Sequence, residues 1–281
     1  MAITASQVKE LRDMTGAGMM ECKKALTEAD GNMDKAVDLL REWGVAKVAK
    51  KAGRATNEGT VMALVSEDGK SGVVIELNCE TDFVGMNEKF KGYAENIAKI
   101  ALAKKLGDAE AVKADEEVAA LITDCVHVMG ENTQLSRAAF VESSAVCSYI
   151  HMGGKIGVLM QFDVEGIDPT ADAFVTYGRD VAMQVAAMSP VAPNREAVPA
   201  DVVAKEMEIY KAQAAASGKP ENIQEKIATG RLEKYYAENC LTEQAFVKDG
   251  DLTIQTYTDK VAKELGGTIK VVDFVRFALG E

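Results

Sequence analysis

The chain has 281 residues and a formal net charge of −12, with 47% hydrophobic and 27% charged residues. This length suffices for two or three domains, and the composition is that of an ordinary globular protein. The acidic balance argues against direct nucleic-acid binding, which requires cationic surface. No apolar run reaches the length of a membrane span. Five scattered cysteines without a CxxC pair, and an N-terminus without signal-peptide features, favour free thiols in a reducing cytoplasm.

The first 44 residues predict three short helices. Thr4 and Gln7 have capping-box spacing at the start of the first helix. The second helix places four apolar residues on one face, namely Cys22, Ala25, Leu26 and Ala29. Asn32 is the predicted N-cap of the third helix and Gly44 its predicted C-cap. The basic stretch "KVAKKAGR" then predicts a solvated linker, with a phosphate contact as the less favoured alternative.

The rest of the chain contains an internal repeat. "TVMALVSEDGKSGVVIELNCETDF" predicts two strands around a Gly-Lys turn, followed by a helix. "AVCSYIHMGGKIGVLMQFDVEGID" and the helix "DAFVTYGRDVAMQVAAM" repeat this pattern, so that "GKSGV" aligns with "GKIGV". Each copy later reaches a further apolar strand, "SRAAFVES" or "TIKVVDFVRFAL". The pattern predicts two related α+β units, each a small antiparallel sheet with helices on one face.

The predicted fold class is therefore α+β, in three parts. Residues 1–54 comprise the helical module and linker, 55–142 the first unit and 143–281 the second. An insertion at about 200–240 is rich in helix on both sides of "SGKP", which predicts a helical hairpin. Self-packing of its two helices is the favoured interpretation, and additional pairing with a second copy of the chain stays open.

A search for catalytic and metal-binding motifs yields no positive evidence. "TGAGMM" follows a helix and lacks phosphate-loop spacing. His127 and His151 are the two histidines, and neither belongs to an HExxH or a closely spaced His/Cys set. There is no GxSxG motif. The sequence therefore predicts neither an enzyme nor a cofactor.

The stretch "TDFVG" places an aromatic residue where a strand ends. In one interpretation Phe83 anchors the next helix to the sheet, with Thr81 or Asp82 as the helix cap. In the other, a rigid loop presents Phe83 and an adjacent carboxylate to a partner. Residue types alone favour the first interpretation.

Two longer motifs resemble a known family. "LRDMTGAGMMECKKAL" and "ELNCETDFVGMN" are similar to the two signatures of bacterial elongation factor Ts. "GEN", "SYIHMGGKIGVL", "SGKPENIQEKIATGR" and "LTEQAFVKD" have counterparts in the same order, so the resemblance covers nearly the whole chain. It implies a ubiquitin-associated-like N-terminal module, two related subdomains and a helical hairpin. It also implies a nucleotide-exchange factor for elongation factor Tu, in its GDP-bound and nucleotide-free states, that acts by binding.

The resemblance also implies which residues contact elongation factor Tu. Phe83 would insert between helices of the GTPase domain with Asp82 beside it, which would disturb the Mg²⁺ and phosphate site and speed GDP release. The matching contact positions are Thr81, Asp82, Phe83 and Val84 in the loop, Arg12, Met19, Met20 and Lys23 in the N-terminal module, and His151 and Val247 in the second unit.

Three departures from the family pattern carry expectations of their own. Gly85 stands where the family more usually has alanine or serine, which predicts a looser loop. Lys248 stands where some members have an apolar residue. The sequence ends at "RFALGE", whereas some relatives continue into a C-terminal helical module, so we expect lower affinity.

Two hypotheses from other classes compete with an exchange factor. One is a small-molecule enzyme with its site between the two α+β halves, which would require a cluster of polar residues there. The other is an adaptor that uses only residues 1–44.

Overall fold

The computed structural model describes residues 3–15, 17–216, 218 and 220–281, with the backbone alone for 45–50. The described helices are α1 (Ala5–Thr15), α2 (Met19–Glu28), α3 (Met33–Lys51), α4 (Asp82–Gly85), α5 (Glu88–Lys104), α6 (Ala109–Ala114), α7 (Glu116–Met129), α8 (Asp172–Met188), α9 (Ala200–Ala215), α10 (Glu221–Asn239) and α11 (Ile254–Leu265). The strands are β1 (Glu58–Val65), β2 (Ser71–Cys79), β3 (Gln134–Glu142), β4 (Ala145–His151), β5 (Ile156–Glu165), β6 (Ala245–Phe246), β7 (Asp249–Thr253) and β8 (Thr268–Ala278). The predicted α+β class is confirmed.

The predicted three helices at the N-terminus are confirmed, together with the predicted caps at Thr4 and Asn32. The amide of Thr4 donates to Gln7 Oε1 at 3.0 Å, and the amide of Gln7 donates to Thr4 Oγ1 at 3.3 Å. Asn32 Oδ1 accepts from the amide of Lys35 at 3.0 Å, as expected of an N-cap. The predicted apolar face of α2 is buried in the core of this bundle. Gly16, in the predicted break between α1 and α2, lies outside the described residues.

The predicted end of the third helix is wrong, because α3 continues through Gly44 to Lys51. Gly44 is buried, and a Cβ placed on it would lie 3.5 Å from Thr123 Cγ2 of α7. The glycine thus allows α3 to pack closely on α7, and this contact supports the helix beyond the expected cap. The basic stretch predicted as a solvated linker is helical up to Lys51, and residues 52–54 are exposed, as predicted. Two hydrogen bonds hold this segment to the first unit, since Lys51 Nζ donates to the carbonyl of Gly130 and Gln134 Nε2 donates to that of Ala52.

Two three-stranded antiparallel sheets confirm the predicted repeat, with strand orders β1-β2-β3 and β4-β5-β8. Helix α5 covers one face of the first sheet and α8 covers one face of the second, each burying aromatic and aliphatic side chains. The correspondence extends to irregularities, because the register shifts between Glu76 and Leu77 in β2 and between Gln161 and Phe162 in β5. These are equivalent positions when "GKSGV" is aligned with "GKIGV".

The remaining faces of the two sheets pack against each other. Val61 and Val74 of the first sheet meet Val146 and Leu159 of the second, all buried. The aligned glycines lie at this contact. A Cβ on Gly72 would be 2.9 Å from Val146 Cγ1, and one on Gly157 would be 2.4 Å from Val61 Cγ1. The repeated glycine therefore permits the close approach of the two sheets. The contact is largely aliphatic, and its polar part is a structural pair: the buried Glu76 pairs with Arg137 at 2.6 Å, and Arg137 Nη2 donates to the carbonyl of Ala278 in the second unit at 2.6 Å.

The inserted segment forms the predicted pair of helices, α9 and α10, which pack on each other. Few side chains are buried in the hairpin, among them Ala214, Ala228 and Leu232. Ser217 and Lys219 of the predicted turn lie outside the described residues. The three-part division at 54 and 142 and the pairing of two copies through the hairpin stay predictions.

Candidate partner-binding surface

The loop at the end of β2 exposes Phe83 almost completely. Helix α4 is a single turn, and the side chain of Phe83 is 80% exposed, the largest fraction among the described large hydrophobic residues. Asp82 beside it is exposed, whereas Val84 is half-buried against the core under α5. The interpretation of Phe83 as an anchor for the next helix is therefore wrong. That role belongs to Phe90, which is fully buried.

A carboxylate from the distant "GEN" motif supports this loop. Glu131 Oε2 accepts from the backbone amides of Glu80 and Thr81, both at 3.0 Å, and its Oε1 accepts from the hydroxyl of Thr81 at 2.7 Å. The Thr81 hydroxyl also accepts from the amide of Val84 at 3.4 Å, so Thr81 and not Asp82 caps α4. Hydrogen bonds thus hold both ends of the turn from which Phe83 projects outward.

A reciprocal set of contacts fixes the carboxylate of Glu80. Glu80 Oε1 accepts from the backbone amide of Asn132 at 2.7 Å and forms an ion pair with Arg54 at 3.3 Å. The hydrogen bond from Asn132 is the main cause that lowers the pKa of Glu80 below its usual value, with the charge of Arg54 adding to it. Asn132 Nδ2 donates to the carbonyl of Arg54 at 2.8 Å. The segment after α7 and the loop after β2 thus stabilise each other.

Gly85 brings α4 into contact with β1. Gly85 is buried, and a Cβ on it would lie 2.8 Å from the carbonyl oxygen of Gly59. The expected loosening of the loop by this glycine is therefore not what the structure shows, since the residue sits tightly against backbone. An alanine here would place its Cβ too close to the backbone of Gly59, so that Gly59 or the loop would have to shift.

The turn that carries His151 lies beside the same end of β1. The amide of Val61 donates to the carbonyl of Gly154 at 2.7 Å, and Lys155 forms an ion pair with Glu58 at 2.9 Å. Because Gly59, between these residues, contacts Gly85, the structure brings the Phe83 loop and the His151 turn to opposite flanks of one strand end. His151 is half-buried, with Nδ1 3.0 Å from the hydroxyl of Tyr149.

Met152, which sequence reasoning missed, is the most exposed apolar residue of this turn, at 72%. It has a left-handed backbone with φ of 49°, and Gly153 and Gly154 follow at 67° and 107°. Three successive positive φ angles are uncommon, and a non-glycine residue at the first is unfavourable. The "HMGG" sequence contained this signal, since the two glycines indicate a tight turn whose preceding residue points outward.

Val247 lies in the turn between β6 and β7 and is 46% exposed. Its amide donates to the buried Gln184 Oε1 at 2.9 Å. The neighbouring Lys248 forms an ion pair with Asp180 of α8 at 2.6 Å, so its charge is balanced within this chain. A pocket of about 330 Å³ lies between Lys248 and Tyr149, and residues of α8 complete its lining.

The predicted contact residues of the N-terminal module form a separate surface. Arg12, Met19, Met20 and Lys23 are all exposed. Neither methionine belongs to the core of the bundle. The module contacts α7, where Glu21 Oε2 lies 3.5 Å from Nε2 of the nearly buried His127. These contacts dock the three helices on α7, while the linker residue Arg54 contacts the loop after β2 through its ion pair with Glu80.

The described residues contain no group of three or more His, Cys, Asp or Glu side chains arranged to hold a metal ion. All five cysteines are buried free thiols. No helix in the described ranges is both long enough and apolar enough to cross a membrane. The distinctive feature of this surface is the exposed Phe83 on a loop held by Glu131, with the exposed Met86 and Met152 nearby.

Comparison with known proteins yields consistent matches. The family described as Elongation factor TS matches residues 80–281. A protein named Elongation factor Ts from Trichlorobacter lovleyi is 47% identical over 291 aligned residues, covering 100% of this chain and 94% of that protein. Proteins of the same name from Clostridium botulinum strains ATCC 19397 and Eklund 17B are 47% and 48% identical, each covering 99% of this chain and 93% of the relative.

Proposed function

Because this chain belongs to the elongation factor Ts family, we propose that it releases GDP from elongation factor Tu by inserting Phe83 between helices of the GTPase domain. The family implies a nucleotide-exchange factor in translation elongation that acts by binding and catalyses no bond chemistry. The exposed aromatic ring on a loop held by Glu131 is the observation that carries the proposal. We place this exchange in the cytoplasm, without direct contact with nucleic acid or membrane.

The rigidity of the loop supports this role. An interface residue that is already held in its bound conformation loses little conformational entropy on binding, so more of its contact energy appears as affinity. Aromatic residues that fill a pocket are the commonest dominant contributors to interfaces. Asp82, exposed beside Phe83, would make polar contacts at the rim of that pocket.

Burial of Phe83 alone cannot supply the coupling free energy that a large loss of GDP affinity requires. Binding of the factor and of GDP to elongation factor Tu are coupled reciprocally, so each weakens the other by the same factor. A thousandfold loss of GDP affinity corresponds to about 4 kcal/mol. Full burial of one phenylalanine contributes roughly 1.5–3 kcal/mol. Other surfaces must therefore contribute to the coupling.

The other predicted contact residues are the proposed source of the coupling free energy that Phe83 does not supply. His151 and Val247 would contact the partner beside the loop and farther along α8, and Thr81 and Val84 would hold the loop in place. Arg12, Met19, Met20 and Lys23 would dock the N-terminal module on the GTPase domain. The distribution over several separate surfaces explains how a large coupling can arise from individually modest contacts.

Stopped-flow release of a fluorescent GDP analogue from bacterial elongation factor Tu tests the proposal. Phe83→Ala and Asp82→Ala are compared with the wild-type chain at rising concentrations, and Val272→Ala, at an exposed apolar residue on the outer strand β8, is the matched control. We expect acceleration by wild type and by the control, and strongly reduced acceleration by Phe83→Ala. Acceleration unchanged by Phe83→Ala would refute the insertion, and no acceleration by wild type would refute exchange itself. The isolated module, residues 1–44, should bind weakly and release no GDP, whereas the adaptor hypothesis requires full binding.

Pairing of two copies through the hairpin is a further proposal from the same sequence. Ile209 and Ile223 provide exposed apolar side chains on α9 and α10. Sedimentation equilibrium of the wild-type chain and of an Ile209→Ser, Ile223→Ser variant tests it. A monomer at all concentrations would exclude the pairing.

A further inference from the structure

Six methionines in the described ranges have strongly exposed side chains, while others are partly or fully buried. Met20 and Met152 are 75% and 72% exposed and Met86 is 57% exposed, whereas Met160 is completely buried. A thioether is polarisable and unbranched, so it suits an adaptable apolar contact. The exposed thioethers are accessible to a partner and to small solutes, whereas that of Met160 is not.

Four of the six lie within the proposed partner-binding surface. Met86 follows Phe83 by three residues at the end of α4, so both side chains project from the same face of the turn. Met152 directly follows His151 in the left-handed turn. Met19 and Met20 form the exposed start of α2. Each predicted contact group except that of Val247 therefore contains an exposed thioether.

The other two exposed methionines lie elsewhere and serve as internal references. Met188 is at the C-terminal end of α8 and is 48% exposed, the same fraction as Met19. Met14 lines a groove of about 1040 Å³ between the N-terminal module and α5 and α7. Their oxidation would place a polar group outside the proposed surface.

The cysteines of this chain compete poorly for oxidants. All five are buried, and burial raises the pKa of Cys79, Cys125 and Cys147 to about 12 and that of Cys240 to about 11. The thiolate is the reactive form of cysteine, and it is scarce at neutral pH under these conditions. A thioether does not need to lose a proton, so the exposed methionines are the sulfur atoms that an oxidant reaches first.

We propose that Met19, Met20, Met86 and Met152 form an oxidant-sensitive site through which peroxides reversibly weaken partner binding; the inference rests on the exchange function proposed above. A sulfur lone pair attacks one oxygen of hydrogen peroxide, the O–O bond breaks and water leaves after proton transfer. The methionine gains one oxygen and loses two electrons as its sulfoxide, and the peroxide is reduced by two electrons. Methionine sulfoxide reductases return the sulfur to the thioether with a dithiol as the two-electron reductant, which becomes a disulfide, and the oxygen leaves as water.

The chemical change matters because it alters the character of the contact surface. A sulfoxide is polar and accepts hydrogen bonds, and it loses those bonds to water if the partner buries it without a donor. One such unsatisfied group, at about 1.4 kcal/mol, weakens binding about tenfold. We therefore expect the concentration for half-maximal GDP release to rise at least about tenfold after oxidation. The fold should be retained, since the four side chains are exposed.

The experiment oxidises the full-length chain alone with hydrogen peroxide, removes the peroxide and then adds untreated elongation factor Tu. Peptide mass spectrometry gives the sulfoxide fraction at each methionine, and stopped-flow GDP release gives the exchange activity. The proteins are the wild-type chain, the fourfold variant Met19→Leu, Met20→Leu, Met86→Leu, Met152→Leu, and the control variant Met14→Leu, Met188→Leu. The GDP-release activity of each oxidised sample is divided by that of the same protein before oxidation. A change of basal activity caused by the substitutions therefore cancels in this ratio.

We expect oxidation to impair the wild-type chain and the control variant about equally, to spare the fourfold variant, and to be reversed by methionine sulfoxide reductases. Formation of the complex before oxidation should protect Met20, Met86 and Met152 but not Met188. An equal loss in the fourfold variant, no loss in wild type despite sulfoxide at the four positions, or preferential oxidation of Met160 would overturn the inference. Absence of exchange by untreated wild type would instead refute the proposed function, so the two failures are distinguishable.

Discussion

Replacement of Glu131 by alanine tests whether the carboxylate holds the Phe83 loop. The substitution removes three hydrogen bonds, from the amides of Glu80 and Thr81 and from the Thr81 hydroxyl. Each contributes about 0.5–1.5 kcal/mol net, and water can reach these part-buried donors, so we expect a loss of about 2–3 kcal/mol in the free energy of unfolding. Glu131→Gln keeps the shape and one acceptor oxygen and should cost about 1 kcal/mol.

Two measurements distinguish the local role of Glu131 in holding the Phe83 loop from a general effect on stability. Urea unfolding gives the free energies, and hydrogen exchange reports the protection of the Glu80 and Thr81 amides. Glu264→Ala, at an exposed site on α11, is the matched control and should change stability by less than about 0.5 kcal/mol. GDP release should need at least about fivefold more Glu131→Ala protein, because the partner must then order the loop. Unchanged protection of the Thr81 amide together with unchanged stability would refute the role assigned to Glu131.

Two further predictions concern the scaffold. Gly178→Ala should destabilise the chain by about 1–3 kcal/mol, since its Cβ would lie 2.1 Å from Cys147 Sγ. Gly92 lies in α5, and a Cβ placed on it would have no neighbour within 4 Å, so Gly92→Ala should stabilise the chain by up to about 1 kcal/mol. Urea unfolding of both variants gives the two changes in free energy of unfolding. Changes of the same sign would contradict the argument. The lowered pKa of Glu80 contributes stability that is complete above about pH 4.5 and is lost as pH falls through the folded-state pKa. Glu80→Gln, which keeps an acceptor for Asn132, should therefore flatten the acid limb of the stability curve, and an unchanged limb would exclude this contribution.

The amino-acid sequence by itself determined the elements and their repetition. Local signals sufficed for the capping box at Thr4, the N-cap at Asn32 and the apolar face of α2, because these depend on residues a few positions apart. The strands around the Gly-Lys turns were also predictable, since two copies of one pattern reinforce each other. The motif around Phe83 identified the candidate site through its resemblance to a family.

Only the tertiary structure decided the features that depend on residues far apart in the chain. Gly44 has the local character of a helix end, yet its contact with α7 extends the helix to Lys51. Residue types favoured burial of Phe83, but Phe90 occupies the core and the carboxylate of Glu131, 50 residues from Thr81, holds the loop outward. Burial and long-range hydrogen bonds depend on which surfaces meet in space, and a one-dimensional pattern does not contain that information.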